Sequence, residues 1–245
     1  MLSDEQMELR CGKLTASSIH KIMGAKGFGK TGESYLWQVI AERETGKTTE
    51  TPTTYAMQWG NEHEEEAGAY YEQAKGITIE KGESISFNEL VVTPDYTFVS
   101  DSDSYGIEIK CPYNSANQSE RLRYNDYKDI IKNNPDYYWQ MVAGMLATGF
   151  RKWVFLSYDP RMINPENRMV AITVPYIEKD YHLLKSRISQ AIDFMISKGI
   201  KDIDHDHAEF YEILNKKSTP INKHIEDDYI PDDFDQTDHL HDVGE

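Results

Sequence analysis

Three side chains in one short stretch, Asp95, Glu108 and Lys110, could do chemistry together. Two carboxylates are hard oxygen donors of the kind Mg²⁺ takes alongside waters and substrate phosphate oxygens. A lysine beside them can hold or deprotonate an attacking water and offset charge on a phosphate. The element that must position them runs from Val91 to Pro112, and it reads as a β-hairpin. Apolar and β-branched residues alternate on both sides of a polar turn expected over 100–106. Within Ile107-Glu108-Ile109-Lys110, side chains swap faces at each residue, so the two isoleucines share one face and the two charges the other. Asp95, behind Pro94, reaches the charged face if the hairpin closes. Spacing alone favours a plainer account, a surface hairpin with a same-face Glu108–Lys110 pair, because acid-x-lysine arises by chance in many chains. The surrounding elements shift that balance.

The chain has 245 residues, enough for one large domain or a domain with an extension. Hydrophobic content of 39% and aromatic content of 11% fit a soluble globular enzyme. No apolar run approaches a membrane span, and the N-terminus lacks the basic-then-apolar plan of a signal peptide. Cys11 and Cys111 are the two cysteines, too few for an all-cysteine metal cluster and in keeping with a reducing cytoplasm. The net charge of −16 is unevenly spread: residues 202–245 hold 14 acids against 3 lysines, −11, leaving −5 for the rest. A mildly acidic body can still bind DNA along a basic groove, but tight coating of nucleic acid is disfavoured. Residues 1–200 read as one domain. Residues 201–245 read as an acidic extension, partly disordered, with one short helix near Tyr211 and scattered histidines (205, 207, 224, 239, 241) in no recognisable ligand spacing.

Upstream, residues 8–24 read as an approach and a helix, capped by Thr15 or Ser17, striped by Ile19, Ile22 and Met23 and ended by Gly24. Free backbone N–H groups, two hydroxyls and Arg10 make a phosphate site conceivable there; an ordinary capped helix is the commoner case. Gly24 to Thr31 matches the nucleotide-loop spacing, but a helical pattern precedes it where a buried strand should stand, so it reads as a flexible basic loop. Helices are expected from about Glu33 to Thr45 and from Met57 to Lys75. On the second, Met57, Gly60, Glu64, Ala67, Gly68 and Tyr71 share a face, and Glu64 is its odd acid. Glu62, Glu65 and Glu66 read as solvated. Strands are expected around Ile77–Ile79 and Ser84–Phe87, helical structure over 117–133, and a buried helix opened by Pro135, in which Gln140 needs a partner. Strands Trp153–Ser157 and Met169–Val174 and a helix Glu178–Lys198 complete the pattern.

Six blocks occur in order: Arg10-x-Gly12-x-x-Thr15-Ala16-Ser17, Trp59-Gly60 through Glu64, Pro94-Asp95, Glu108-Ile109-Lys110-Cys111-Pro112, Tyr137-x-x-Gln140 and Tyr158-Asp159-Pro160-Arg161-Met162. Together they resemble the YqaJ-type, lambda-exonuclease-like viral recombinase family within the PD-(D/E)xK nuclease superfamily. The resemblance covers about residues 8–200 and leaves out the acidic extension. It implies an α/β fold with a central mixed β-sheet flanked by helices, a restriction-endonuclease-like core. It implies a Mg²⁺-dependent exonuclease, using two ions with Mn²⁺ as a substitute, that resects linear double-stranded DNA from the 5′ end and leaves 3′ overhangs for recombination. The metal would be held by Asp95, Glu108, the Ile109 backbone carbonyl and Glu64. Lys110 would act on the nucleophilic water, Gln140 would orient it, and Arg10 and Ser17 would hold the terminal 5′ phosphate. Met57 would be either a wedge against the end base pair or, more ordinarily, core packing. The resemblance further implies a homotrimer, a single-strand annealing protein as partner, and a phage- or prophage-encoded protein in the bacterial cytoplasm. A restriction-type or RecB-like endonuclease is the neighbouring alternative, and a non-catalytic DNA-end binder or DNA mimic the one outside enzymes.

Overall fold

The structure, a computed structural model, describes residues 4–49, 52–101 and 103–201. The acidic extension, with its histidines and the helix expected near Tyr211, lies outside the described residues. Seven α-helices and eight strands are described in the order α1 (Asp4–Arg10), β1 (Leu14–Thr15), a 3-10 helix (Ala16–Ile22), α2 (Gly29–Thr45), α3 (Tyr55–Lys75), β2 (Glu80–Lys81), β3 (Ile85–Phe87), β4 (Leu90–Val92), β5 (Tyr96–Ser100), β6 (Asp103–Lys110), α4 (Ser115–Arg121), α5 (Tyr127–Asn133), α6 (Pro135–Thr148), β7 (Lys152–Tyr158), β8 (Met169–Pro175) and α7 (Glu178–Ser197). A short 3-10 turn, Pro165–Asn167, lies between β7 and β8. Among the described residues no helix is long and apolar enough to cross a membrane.

The α/β expectation holds, with two mixed sheets where one was expected. The larger has the order β2-β5-β6-β7-β8 and the smaller β1-β4-β3. In the larger, β6 pairs antiparallel with β5 and parallel with β7, the latter placing Glu108 opposite Phe155 and Lys110 opposite Ser157. The first arm of the expected hairpin is divided between the sheets: Leu90–Val92 joins the small one and Tyr96–Ser100 the large one. Pro94 lies at the crossing, where it cannot donate to a ladder. The second arm is longer than its polar composition indicated, for Asp103 to Gly106 pair with Thr97 to Ser100. Gly106 is there for space rather than for turning: a Cβ on it would stand 2.5 Å from the buried Trp153 ring.

Helix α3 begins at Thr54, whose side chain accepts from the Met57 N–H at 3.2 Å, and ends at Gly76 with φ 63°. Its buried face, Ala67, Gly68 and Tyr71, packs on Ile107 and Ile109 of β6. Gly68 permits this approach, since a Cβ would lie 2.9 Å from the Tyr96 ring. Met57, given to core packing above, is instead 46% exposed on the first turn. Several smaller expectations also change. Helix α2 starts four residues early and absorbs Lys30, Thr31 and Gly32, so the nucleotide-loop match is part helix and follows no strand. Residues 77–79 are not a strand, because the Ile79 N–H donates to Glu72 of α3. Residues 117–133 form two short helices, each with an Asx cap: Asn114 accepts from Ala116 and Asp126 from Lys128.

Candidate active site

Strand β6 presents Ile107 and Ile109 to α3 and turns Glu108 and Lys110 toward α6, as the alternation required. Glu108 is only 3% exposed. Its Oε1 accepts from Lys110 Nζ at 2.5 Å and from Gln140 Nε2 of α6 at 2.6 Å. Asp95 closes the group from the junction between the sheets. Its N–H donates to the Ile107 carbonyl at 3.1 Å, and its Oδ2 accepts from the Ile109 N–H at 2.6 Å. The two carboxylates, the lysine and the glutamine therefore meet across the end of one strand pair. A burial penalty and mutual repulsion push Asp95 well above the ordinary carboxylate range. Glu108 is also raised, by burial first, with Lys110 pulling the other way. Lys110 is raised despite its own burial, because both acids favour the ammonium.

Glu64 lies on α3, one turn before Ala67 and Gly68. Its charge helps raise both Asp95 and Glu108, but its Oε1 accepts from Lys81 Nζ of β2 at 2.5 Å. Among the described residues no three His, Cys, Asp or Glu side chains converge as a ready set of ligands. The acids brought to the end of β6, Asp95 and Glu108, are oxygen donors that suit a hard divalent cation keeping several waters. The repulsion of the two acids, which Lys110 only partly offsets, points the same way.

Arg10 and Ser17 are also brought together, with Arg10 Nη2 donating to Ser17 Oγ at 3.3 Å. Gly12 makes the bend between them at φ 69°; its N–H donates to Glu42 and its carbonyl accepts from Arg43 Nε at 2.6 Å. Thr15 occupies the cap position without a side-chain capping bond, and its N–H donates instead to the Tyr35 hydroxyl at 2.8 Å. The helix that follows is 3-10, and Ser17 on its first turn faces Arg10. Strand β1 runs parallel to β4, which leads through Pro94 to Asp95; the same backbone that fixes the arginine bend fixes the acid.

The Tyr158–Met162 block does structural work that its sequence did not disclose. Asp159 is fully buried and takes Arg161 Nε at 2.8 Å and Nη2 at 2.9 Å, while Nη2 also donates to the Pro112 carbonyl at 2.8 Å. The chain just past Lys110 is thereby clamped, with Arg161 resting 4.2 Å from the Trp59 ring. Glu66, read as solvated, accepts from the Tyr158 hydroxyl at 2.8 Å and from His63 at 2.9 Å.

The model of the YqaJ-like viral recombinase domain matches residues 5–151, a span that holds every site residue from Arg10 to Gln140. The chain belongs to that family. No protein of curated function matches it. Three solved structures share the fold of this YqaJ-like domain. An alkaline exonuclease from Laribacter hongkongensis is 24% identical, with TM-score 0.67, over 87% of this chain and 97% of its own. The same enzyme in complex with dAMP aligns over 86% and 100% with TM-score 0.68 and 24% identity. A phage-related exonuclease from Haemophilus somnus is 19% identical, with TM-score 0.63, over 76% and 96%.

Proposed function

We propose that this YqaJ-like domain is a Mg²⁺-dependent exonuclease that resects linear double-stranded DNA from its 5′ end and leaves a 3′ single strand for annealing. The observation that carries the reading is the convergence of Asp95, Glu108, Lys110 and Gln140 at the end of β6, with the Arg10–Ser17 pair tied to it through β1 and β4. The family match and the exonuclease neighbours agree with it, and the dAMP held by one neighbour is a mononucleotide such as exonucleolytic cleavage releases.

Asp95, Glu108 and the Ile109 carbonyl would hold the first cation, and Glu64 would join it or a second one after release from Lys81. Bound there, Mg²⁺, or Mn²⁺ in its place, supplies Lewis-acid charge beside the scissile phosphate. The chain's own groups do the rest. Lys110 would hold the nucleophilic water in place and offset negative charge on the phosphate as it develops, while the proton that water loses on attack passes to solvent as the bond to the 3′ oxygen breaks. Gln140 fixes the Glu108 carboxylate by donating to it, leaving its own carbonyl oxygen to orient the water. Arg10 and Ser17 take the terminal 5′ phosphate, which sets the entry point and polarity. Exposed Met57 at the start of α3 would wedge against the last base pair. The partners that follow are a DNA end, a single-strand annealing protein and two further copies of the chain in a trimer, all within the bacterial cytoplasm.

Digestion of linear duplex with Mg²⁺ tests this, comparing 5′-phosphorylated with 5′-hydroxyl ends and wild type with Lys110→Ala. Faster loss of the phosphorylated strand, reduced at least about a hundredfold by the substitution, is expected. Nicking of closed circles would transfer the protein to the endonuclease branch, and absence of cleavage with Mg²⁺ and Mn²⁺ alike would leave an end-binding role.

A further inference from the structure

Lys110 has a second neighbour besides Glu108. Its Nζ stands 4.8 Å from the centroid of the Tyr137 ring, and Tyr137 lies on α6 three residues before Gln140, on the same side of the helix. The ring is itself fixed. It stacks on Phe155 of β7 with centroids 5.9 Å apart and planes 23° apart. The Arg121 guanidinium sits 5.5 Å from the Tyr137 centroid and 5.5 Å from that of Phe155.

Arg121 is a peculiar residue. It is 4% exposed, yet among the described residues no carboxylate pairs with it. Its hydrogen-bond partner is Ser157 Oγ at 3.0 Å, and that hydroxyl donates to Gln118 Oε1 at 2.6 Å. Aromatic faces thus stand where an acid would ordinarily be found. Ser157 in turn lies opposite Lys110 in the β6–β7 register. The contacts close a circuit that starts and ends at the lysine: Lys110, Tyr137, Arg121, Ser157, and across the strand pair to Lys110 again.

We propose that Tyr137 is the positioning residue of Lys110, an aromatic face that keeps the ammonium in place when its carboxylate partner is engaged elsewhere. The inference rests on the nuclease reading for its purpose, though not for its geometry. A lysine side chain is a flexible four-carbon stem with a point charge, and one ion pair leaves it several rotamers. Glu108 Oε1 is shared with Gln140, and a cation drawn to Glu108 weakens its grip on Lys110. The ring does not compete for the carboxylate, so its hold persists through that change. Arg121 and Phe155 make the ring a fixed surface rather than a second mobile group.

Two substitutions separate the ring face from its bulk and its hydroxyl. Tyr137→Phe keeps the face; Tyr137→Leu keeps apolar volume and removes it. With phosphorylated linear duplex, kcat for Tyr137→Leu should fall about thirtyfold with KM unchanged, while Tyr137→Phe stays within about threefold of wild type. In metal-free, DNA-free protein carrying Glu108→Gln, which removes the carboxylate's hold, the rate of reductive methylation at Lys110, followed by mass spectrometry, should rise several-fold when Tyr137→Leu is added and stay unchanged when Tyr137→Phe is added. Equal kcat for the two variants, a loss confined to KM, or unchanged Lys110 labelling when Tyr137→Leu is added to Glu108→Gln would overturn the assignment. A wild-type protein that does not cut DNA would remove the nuclease reading, and the labelling experiment would still decide whether the ring holds the lysine.

Discussion

Two sets of buried carboxylates, both in or beside the large sheet, are treated in opposite ways. Asp159 is surrounded by donors: the Arg161 backbone N–H and two arms of its guanidinium reach it. Burial alone would raise its pKa, but the bonds from Arg161 and the Ser115 hydroxyl together outweigh that and hold it below the ordinary carboxylate range. Asp95 and Glu108 are both raised, burial being the first cause, with Lys110 bonded to Glu108 as their shared counter-charge. The first arrangement lowers the free energy of the fold. The second stores repulsion that a bound cation would relieve. On the proposed reading the contrast separates an acid that serves structure from two that would serve chemistry, and it does so by charge balance rather than by burial, which the two share.

The largest test of that contrast is to neutralise one acid in each place. Asp95→Asn or Glu108→Gln should reduce DNA cleavage by about a thousandfold or more, since a ligand and a fixed charge are lost together. In metal-free protein Asp95→Asn should leave the melting temperature unchanged or raise it, because it removes one of two like charges and leaves the Glu108–Lys110 pair intact. A melting temperature several degrees lower would show that the pair stabilises the fold and would erase the distinction.

Asp159→Asn should do the reverse. It breaks a buried, bidentate pair, though Arg161 is 38% exposed on its own side, and a loss of about 2 kcal/mol in unfolding free energy is expected. Because the folded pKa of Asp159 is depressed, its contribution is present above the unfolded carboxylate value near 4 and is lost as pH falls through the folded value. The difference in melting temperature between wild type and Asp159→Asn should be flat from about pH 5 to pH 8 and narrow below about pH 4. A gap that narrowed toward alkaline pH would mean that the pair does not carry the stability. Cleavage should fall less than in Asp95→Asn, through loosening of Pro112 alone.

Much of the site was legible because strand alternation is strict. Once Ile107 and Ile109 were assigned to the core, Glu108 and Lys110 had to share the other face, and Asp95 could join them if the chain before Tyr96 turned back beside that strand. The split of Val91–Val99 between two sheets was not legible, since an apolar run has the same pattern in either sheet and only Pro94 marks the break. Gln140 was visible as a polar residue in an apolar helix. Tyr137, three residues earlier, was visible as part of a block but carried no role, because an aromatic residue on a buried helix needs no partner to explain it. The pairing of Glu64 with Lys81 was equally hidden, for β2 is a two-residue exposed edge with no pattern of its own. Met57 misled for the opposite reason, as a hydrophobic side chain in register with a buried face that had not yet begun at the first turn of α3.

The Glu64–Lys81 pair gives the smallest effect and the sharpest sign. Its side chains are 29% and 62% exposed, so breaking it should change stability by no more than about 0.5 kcal/mol. Its interest lies in what the lysine withholds. Glu64 can join the acids at β6 only if Lys81 gives it up, so the ammonium and a cation compete for one carboxylate. Lys81→Ala should then lower the Mg²⁺ concentration for half-maximal cleavage by about threefold, and Glu64→Gln should raise it. If Glu64 merely anchors the edge strand, both substitutions should leave the Mg²⁺ dependence where it is, and the metal site is confined to Asp95, Glu108 and the strand carbonyl. Opposite shifts in the two variants would place Glu64 with the acids of chemistry rather than with Asp159.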